Sequence, residues 1–262
     1  MGQERKRKKN PHSYQERSYR LLSQSGLIAS RVQLMETDLL IMAKTGVEDP
    51  ALALVAEVRT KIERYINNHP EFLHSLVPLA DDPAAPKIIR TMLAAGRRAE
   101  VGPMAAVAGA VAEYTGRGLE QLGHSEIMVE NGGDIYVRRN RECTIAIYAG
   151  ESPLSGKVGI RLQPEQMPCG VCTSSATIGH SLSLGASDAA VVVASETAFA
   201  DALATRLGNE VRAGASGLNR ALAVVKNMEG VTGAVLIAGK KLGAWGALQL
   251  VKIDARKAPE QA

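Results

Sequence analysis

The first clear pattern along the chain is an alternation of aliphatic and polar residues over residues 27–42, interrupted by a polar triplet at 36–38. Alternation with a period of two is typical of strands, so this segment predicts two early strands or one kinked strand. A helix is predicted next, because Asp49 offers a cap and Pro50 suits a first helical turn. Apolar residues then recur at helical spacing and are expected to face the core: Leu52, Val55, Val58, Ile62, Tyr65 and Ile66.

A proline-rich stretch at residues 70–86 predicts a loop with short helical pieces. Pro103 then begins a second helix, in which residues 104–112 are nearly all small. A helix without bulky side chains lets another backbone or a ligand approach closely. Both interpretations stay open at this stage, and close packing on a sheet is the favoured one.

The second half of the chain alternates short strand patterns with helical ones. Strands are predicted over residues 126–129, 135–138, 144–148, 157–162 and 189–195. Helices are predicted just after Ser195 and over residues 218–228, and a closing hairpin is predicted from 231–238 and 242–253. Because hairpins join antiparallel strands, these elements predict an α+β fold with a mostly antiparallel sheet and helices packed on it.

Composition narrows the class of protein. The chain has 262 residues, 45% of them hydrophobic and 22% charged, which is enough for one large core without disulfides or a structural metal. No uninterrupted apolar run of membrane-spanning length occurs, and the charged start of the chain has no apolar segment behind it. With only three cysteines the chain fits a reducing compartment, so a cytoplasmic location without membrane contact is expected.

The positive charge is concentrated at one end of the chain. The formal net charge is +4, and five basic residues against one glutamate within residues 4–9 account for all of it. The pattern predicts a disordered basic arm over residues 1–12, a single domain over 13–255 and a tail over 256–262. A nucleic-acid partner is not indicated, because the remainder carries no net charge.

The first candidate site is the sequence Asn131-Gly132-Gly133-Asp134, between two predicted strands. Two glycines allow positive φ and bring main-chain N–H groups close to a ligand, while the flanking residues supply polar groups. The same sequence is also ordinary hairpin chemistry. Its pattern alone therefore leaves a binding turn and a bare turn open.

The second candidate segment contains a row of hydroxyls, including Thr173, Ser174 and Ser175, and continues to His180. Hydroxyls beside glycines suit phosphate oxygens, and a histidine is able to take a proton at neutral pH. A polar loop with a structural histidine remains the alternative.

The third candidate is a pair of oxygen donors on the helix predicted after Ser195. Asp201 and Thr205 are four residues apart, so both side chains leave the same face of that helix, one turn apart. Two oxygens at this spacing suit Mg²⁺, which completes its shell with waters or phosphate oxygens. The alternative is that Asp201 only complements the positive end of a helix dipole.

Cys169 and Cys172 have the spacing of a redox dithiol. Such dithiols act from a helix N-terminus, and no helix is predicted after Cys172, so this chemistry is disfavoured. A zinc site that adds Cys143 and His180 is disfavoured further, because one cysteine pair alone shows ligand-like spacing.

Taken in order, these three segments resemble the ApbE-like FAD:protein FMN transferases. That family shows an Asn-Gly-Gly-Asp turn, an Ala-Thr-Ser-Gly loop, a downstream His and an Ala-Asp-Ala-Leu-Ala-Thr helix. The counterparts here are residues 131–134, 172–175, His180 and 200–205, and the resemblance extends over about residues 105–208. The sequence ADALAT, preceded by AAVVVAS, is the most specific match.

The resemblance implies a T-fold-like architecture and a set of roles. Asp201 and Thr205 would bind Mg²⁺, Thr173 and Ser174 would lie near the phosphates of a flavin nucleotide, and His180 would accept the proton. In such enzymes a Ser or Thr hydroxyl of an acceptor protein attacks the pyrophosphate of FAD, and AMP is released.

This sequence departs from the family at several positions. Cys172 and Ser175 replace the first and last residues of the Ala-Thr-Ser-Gly loop, and Ser-Leu-Ser-Leu follows His180 in place of the family's Ile-x-Asp-Pro. The chain thus resembles a short, uncharacterised cytoplasmic branch. A protein that binds flavin or another nucleotide without transferring it is the alternative function, and a homodimer is left open.

Overall fold

A computed structural model of the chain describes residues 26–175, 187–211 and 216–253. The helices are α1 (Glu48–Asn68), α2 (Glu71–His74), α3 (Lys87–Ala99), α4 (Val107–Gln121), α5 (Thr197–Glu210) and α6 (Ser216–Val225), with 3-10 turns at Pro103–Ala106 and Pro164–Gln166. The strands are β1 (Ile28–Leu34), β2 (Thr37–Ala43), β3 (Ile127–Asn131), β4 (Asp134–Arg138), β5 (Cys143–Ala146), β6 (Val158–Leu162), β7 (Cys169–Ser174), β8 (Ala189–Ala194), β9 (Val231–Ala238), β10 (Lys241–Gly246) and β11 (Gln249–Lys252).

Two antiparallel sheets and a layer of helices form the fold. The larger sheet has eight strands in the order β1-β2-β3-β4-β7-β8-β9-β10, and the smaller has the order β11-β6-β5. Alternate residues of the larger sheet contribute to two separate cores: Val129 and Val192 pack with the helices, whereas Met128 and Val191 pack with the smaller sheet. The predicted α+β class with a mostly antiparallel sheet is confirmed. Among the helices within the described ranges, none combines the length and apolarity needed to cross a bilayer.

The early elements follow the sequence patterns closely. Residues 27–42 form two strands, β1 and β2, joined through Met35 with a φ of 53°. Helix α1 begins at Glu48 instead of at the predicted cap, because the N–H of Val47 donates to Ser30 Oγ at 3.1 Å and fixes the chain there. Leu52 was expected to face the core and is 42% exposed, since the buried face of α1 is centred on other residues: Ala51, Val55, Val58 and Ile62.

Three elements differ from the sequence predictions. The strand β7 (Cys169–Ser174) and the helix α3 were not predicted, and a polar loop was one interpretation of the segment that begins at Cys172. The last predicted strand is two strands, because the chain turns at Gly246, where φ is 96° and an added Cβ would lie 2.3 Å from Thr232 O. Past that turn β11 pairs with β6 in the smaller sheet.

The small residues of α4 allow close approach from two directions. A Cβ added at Gly116 would lie 2.2 Å from the ring of Tyr136 on β4, and one added at Gly109 would lie 2.5 Å from Thr197 O on α5. Packing on the sheet was the favoured interpretation of this helix. The structure adds a second contact, with the backbone of another helix.

We predict that Gly116→Ala lowers the free energy of unfolding by about 1–3 kcal/mol, because the new methyl group overlaps the Tyr136 ring. Chemical denaturation measures this. Tyr136→Leu provides the matched background, since it removes the ring: the cost of Gly116→Ala should be clearly smaller there. Equal costs in both backgrounds would contradict the contact.

Candidate active site

The turn between β3 and β4 is the Asn-Gly-Gly-Asp segment. Gly132 and Gly133 have φ values of 70° and 106°, so the two central residues both need the left-handed region, as in a type I′ turn. Asn131 Nδ2 donates to Ala108 O at 3.1 Å, and the N–H of Gly133 donates to Glu130 Oε1 at 2.8 Å. The turn is therefore held against the first turn of α4.

Asp134 begins β4 and is buried, with 7% of its surface exposed. Its direct neighbour across the sheet is Cys172 of β7, whose thiol donates to Thr197 O at 3.4 Å. Burial raises the pKa of Asp134, whereas the adjacent Cys172 side chain and Thr173 backbone act to lower it. The first and second candidate segments thus meet at Asp134.

Asp201 lies on the second turn of α5 and is also buried. Its Oδ2 accepts a hydrogen bond of 2.8 Å from the N–H of Gly109, and the backbone of Ala108 contributes another. These N–H groups belong to the first turn of α4, which has no side-chain cap of its own. The contact fits the alternative role, a carboxylate that complements the positive end of a helix dipole, and the helix it complements is α4.

The two buried carboxylates influence one another. Burial raises the pKa of Asp201 to about 7, against the opposing effect of the hydrogen bonds from Gly109 and Ala108. Burial, the charge of Asp201 and the charge of Glu130 together raise the pKa of Asp134 well above its usual range. Two carboxylates that are both costly to ionise form an arrangement that a divalent cation would stabilise.

The three hydroxyls of the second segment have different surroundings. Ser174 shares the helix-facing side of β7 with Cys172, and its buried Oγ has no hydrogen-bond partner among the described residues. Ser175 Oγ donates to Asp188 O at 2.7 Å. Thr173 lies on the opposite side of the strand, where its pairing partner Val191 packs toward the smaller sheet.

Two further residues, Thr205 and His180, were predicted to belong to this site. Thr205 follows Asp201 by one turn of α5 and is partly buried. His180, predicted as the proton acceptor, lies outside the described residues. The structure therefore brings Asp134, Asp201 and the Ser174 face of β7 together, while the Thr173 side chain points to the other face of the sheet.

The cysteines are not arranged as a dithiol. Cys172 follows Cys169 by three positions along one strand, so their side chains point to opposite faces and enter the two different cores. Burial raises the pKa of the Cys169 thiol to about 12 and that of Cys172 well above its usual range. In the part of the chain that the structure describes, no three His, Cys, Asp or Glu side chains are grouped to hold a metal ion, and His180 of the zinc alternative lies outside that part.

Sequence reasoning missed the roles of Gly109 and Glu113, two α4 residues that form hydrogen bonds with α5. Gly109 donates to Asp201, and Glu113 Oε2 accepts from the N–H of Thr197 at 2.7 Å. The run of small residues at 104–112 signalled a close approach, but its partner was taken to be a sheet. No local pattern marks Glu113, because its partner is 84 residues away.

The architecture places the chain in the structural class of the ApbE flavin transferases. Superposed on the flavinyl transferase ApbE of Pseudomonas stutzeri in its apo form, it has a TM-score of 0.55 at 15% identity, over 84% of this chain and 93% of that one. The flavin transferase ApbE of Vibrio cholerae gives 0.50 at 14% identity, over 84% and 97%. At such identities the similarity establishes the fold.

The sequence model described as AbpE bacteria matches residues 20–239, and the chain belongs to that family. Its relatives include UPF0280 proteins of archaea. One from Methanocaldococcus jannaschii is 40% identical over 232 residues, covering 86% of this chain and 94% of the relative. Another from Methanosphaerula palustris is 42% identical over 224 residues, covering 85% and 92%.

We predict that Asp134→Asn stabilises the metal-free protein at neutral pH. A carboxyl whose pKa is raised by folding binds more protons in the folded state, so stability falls as the pH rises from the unfolded pKa, about 4, toward the folded one. The amide keeps the shape and removes this loss.

Melting temperatures between pH 5 and 8 in the presence of a chelator measure the effect. The substituted protein should melt higher than the wild type at pH 8 and show a flatter pH dependence. Asp81→Asn, which changes an exposed carboxylate on a loop, is the matched control. If Asp134→Asn melts lower than the wild type at pH 8, the electrostatic account is wrong.

Proposed function

We propose that this protein binds FAD together with Mg²⁺ and transfers FMN to a Ser or Thr hydroxyl of an acceptor protein. The observation that carries the proposal is the meeting of two buried carboxylates, Asp134 and Asp201, beside an unpartnered buried hydroxyl and a glycine turn. Membership of the AbpE bacteria family and the fold shared with flavin transferases support it.

The donor set fits Mg²⁺. Asp201 and Thr205 would hold the ion, and Asp134, at the start of β4, would add a third hard oxygen donor. So few protein ligands suit a cation that shares its shell with phosphate oxygens and water. When bound, the ion would neutralise charge on the diphosphate and polarise its P–O bonds.

The nucleotide would lie against the turn and the end of β7. The backbone of Gly132 and Gly133 permits close approach, and Asn131 keeps the turn in place through its bond to α4. Ser174 offers its free hydroxyl to a phosphate oxygen. Ser175 ties this segment to Asp188, and Thr173 would contribute through its backbone, because its side chain lies on the opposite face of the sheet.

The transfer requires one bond to form and one to break. The acceptor hydroxyl oxygen forms a bond to the phosphorus on the FMN side of FAD, and the P–O bond to the AMP portion breaks, so AMP leaves. His180 is proposed to take the hydroxyl proton. The fixed groups contribute mainly by orienting the diphosphate and excluding water from it.

A non-catalytic flavin or nucleotide-binding protein is the second candidate. Two departures favour it: the Cys172 thiol occupies space beside Asp134, and the Ser175 hydroxyl already donates within the protein. The cytoplasm is the proposed location in both cases, since the three cysteines are free and buried.

We predict that Asp201→Asn abolishes Mg²⁺-dependent AMP release from FAD, because it removes the charged oxygen from the proposed cation site. The assay incubates the protein with FAD, Mg²⁺ and candidate acceptor proteins, measures AMP by chromatography and detects flavin on the acceptor by its fluorescence in a denaturing gel. We expect a loss of about 100-fold or more, comparable to removing one preorganised electrostatic group.

Asp81→Asn serves as the control and should retain wild-type turnover. Tight FAD binding by the folded wild type without AMP release would favour the binding protein. Failure of the wild type to bind any flavin or other nucleotide, with or without Mg²⁺, would rule out both candidates.

A further inference from the structure

Helices α4 and α5 each lack a cap from their own residues. Neither Ala106, which precedes α4, nor Glu196, which precedes α5, makes a side-chain hydrogen bond to its helix, and neither helix has an acidic residue in its first turn. A helix N-terminus carries unpaired N–H groups and partial positive charge, so an oxygen acceptor nearby is stabilising.

Each helix receives that acceptor from the other. Glu113 of α4 accepts from Thr197 N at 2.7 Å and from Ala198 N at 3.4 Å, at the start of α5. Asp201 of α5 accepts from Gly109 N at 2.8 Å, at the start of α4. Glu113 lies four residues after Gly109, and Asp201 lies four residues after Thr197, so the two contacts are reciprocal.

The two helices can cap each other because their backbones lie very close together. A Cβ at position 109 would lie 2.5 Å from Thr197 O and 2.7 Å from Asp201 Cβ, so glycine is required there. At this separation, a shift of the start of α5 relative to α4 moves Asp201 by the same amount. Arg117 holds Glu113 from its other side, through a 2.8 Å bond to Oε1.

We propose that Glu113 is a positioning residue for Asp201: by fixing the start of α5 against α4, it holds the Asp201 carboxylate at Gly109 and toward Asp134. The inference that this orients a cation ligand rests on the proposed function. The positioning itself concerns the protein without ligand and is tested separately.

The first experiment follows amide hydrogen exchange by NMR in the metal-free protein. Glu113→Ala should accelerate exchange at Gly109 by about tenfold, the equivalent of one hydrogen bond's net contribution. Glu113→Gln should stay near the wild type, because its amide oxygen still accepts from Thr197. Glu113→Asp keeps the charge but is one methylene too short, so it should behave as Glu113→Ala does.

Glu120→Ala is the matched control for stability. Glu120 lies on the same helix, its side chain is 22% exposed against 12% for Glu113, and it accepts from Tyr136 without contacting α5. This substitution should lower the melting temperature while leaving exchange at Gly109 unchanged. Equal acceleration at Gly109 in both variants, or none in Glu113→Ala, would overturn the proposal.

The second experiment measures Mg²⁺ affinity in the presence of FAD by calorimetry. Glu113→Ala should raise the dissociation constant by about tenfold, as for a lost positioning hydrogen bond, with rescue by Glu113→Gln and no change in Glu120→Ala. If the wild type binds no Mg²⁺, the proposed function fails while the exchange result still decides the positioning role. If Glu113→Ala binds Mg²⁺ as tightly as the wild type, the link to the cation is wrong.

Discussion

The burial of Asp134 and Asp201 close together is the constraint on which the site depends. Burial makes each carboxylate costly to ionise, and the charge of Asp201 adds to the cost of ionising Asp134. Folding therefore maintains an unfavourable electrostatic arrangement, offset by hydrogen bonds from the backbone of α4 and β7. Carboxyl groups with raised pKa values are typical of sites where a ligand supplies the balancing positive charge. The pair therefore supports a cation site.

The larger sheet and two helices together keep the pair of carboxylates in place. The larger sheet positions Asp134 beside Cys172, helix α5 carries Asp201, and α4 lies between the glycine turn and α5. The absence of side chains at Gly109 and Gly116 lets α4 contact both its neighbours closely. The small residues of α4 thus allow close packing on its neighbours. The same packing brings the first N–H groups of α4 to Asp201.

Strong local periodicity predicted much of the fold: the early hairpin, α1, the strands on either side of the glycine turn, and α5. The strand β7 was missed because its short, mixed side chains resemble a loop, and the last strand was not divided because the need for a turn at Gly246 arises from contact with Thr232. For the site, each motif was visible locally, whereas the proximity of Asp134 to Asp201 and the contact from Glu113 depend on long-range packing.

Anomalous diffraction from crystals grown with Mn²⁺ and FAD would test the proposed cation site most directly. Mn²⁺ prefers the same hard oxygen ligands as Mg²⁺, and its anomalous signal locates it without ambiguity. The account predicts a peak within coordination distance of the Asp201 carboxylate, on the side that faces Asp134, with the flavin diphosphate bound to the same ion. An ordered flavin and a Mn²⁺ peak elsewhere, with Asp134 and Asp201 unligated, would contradict it.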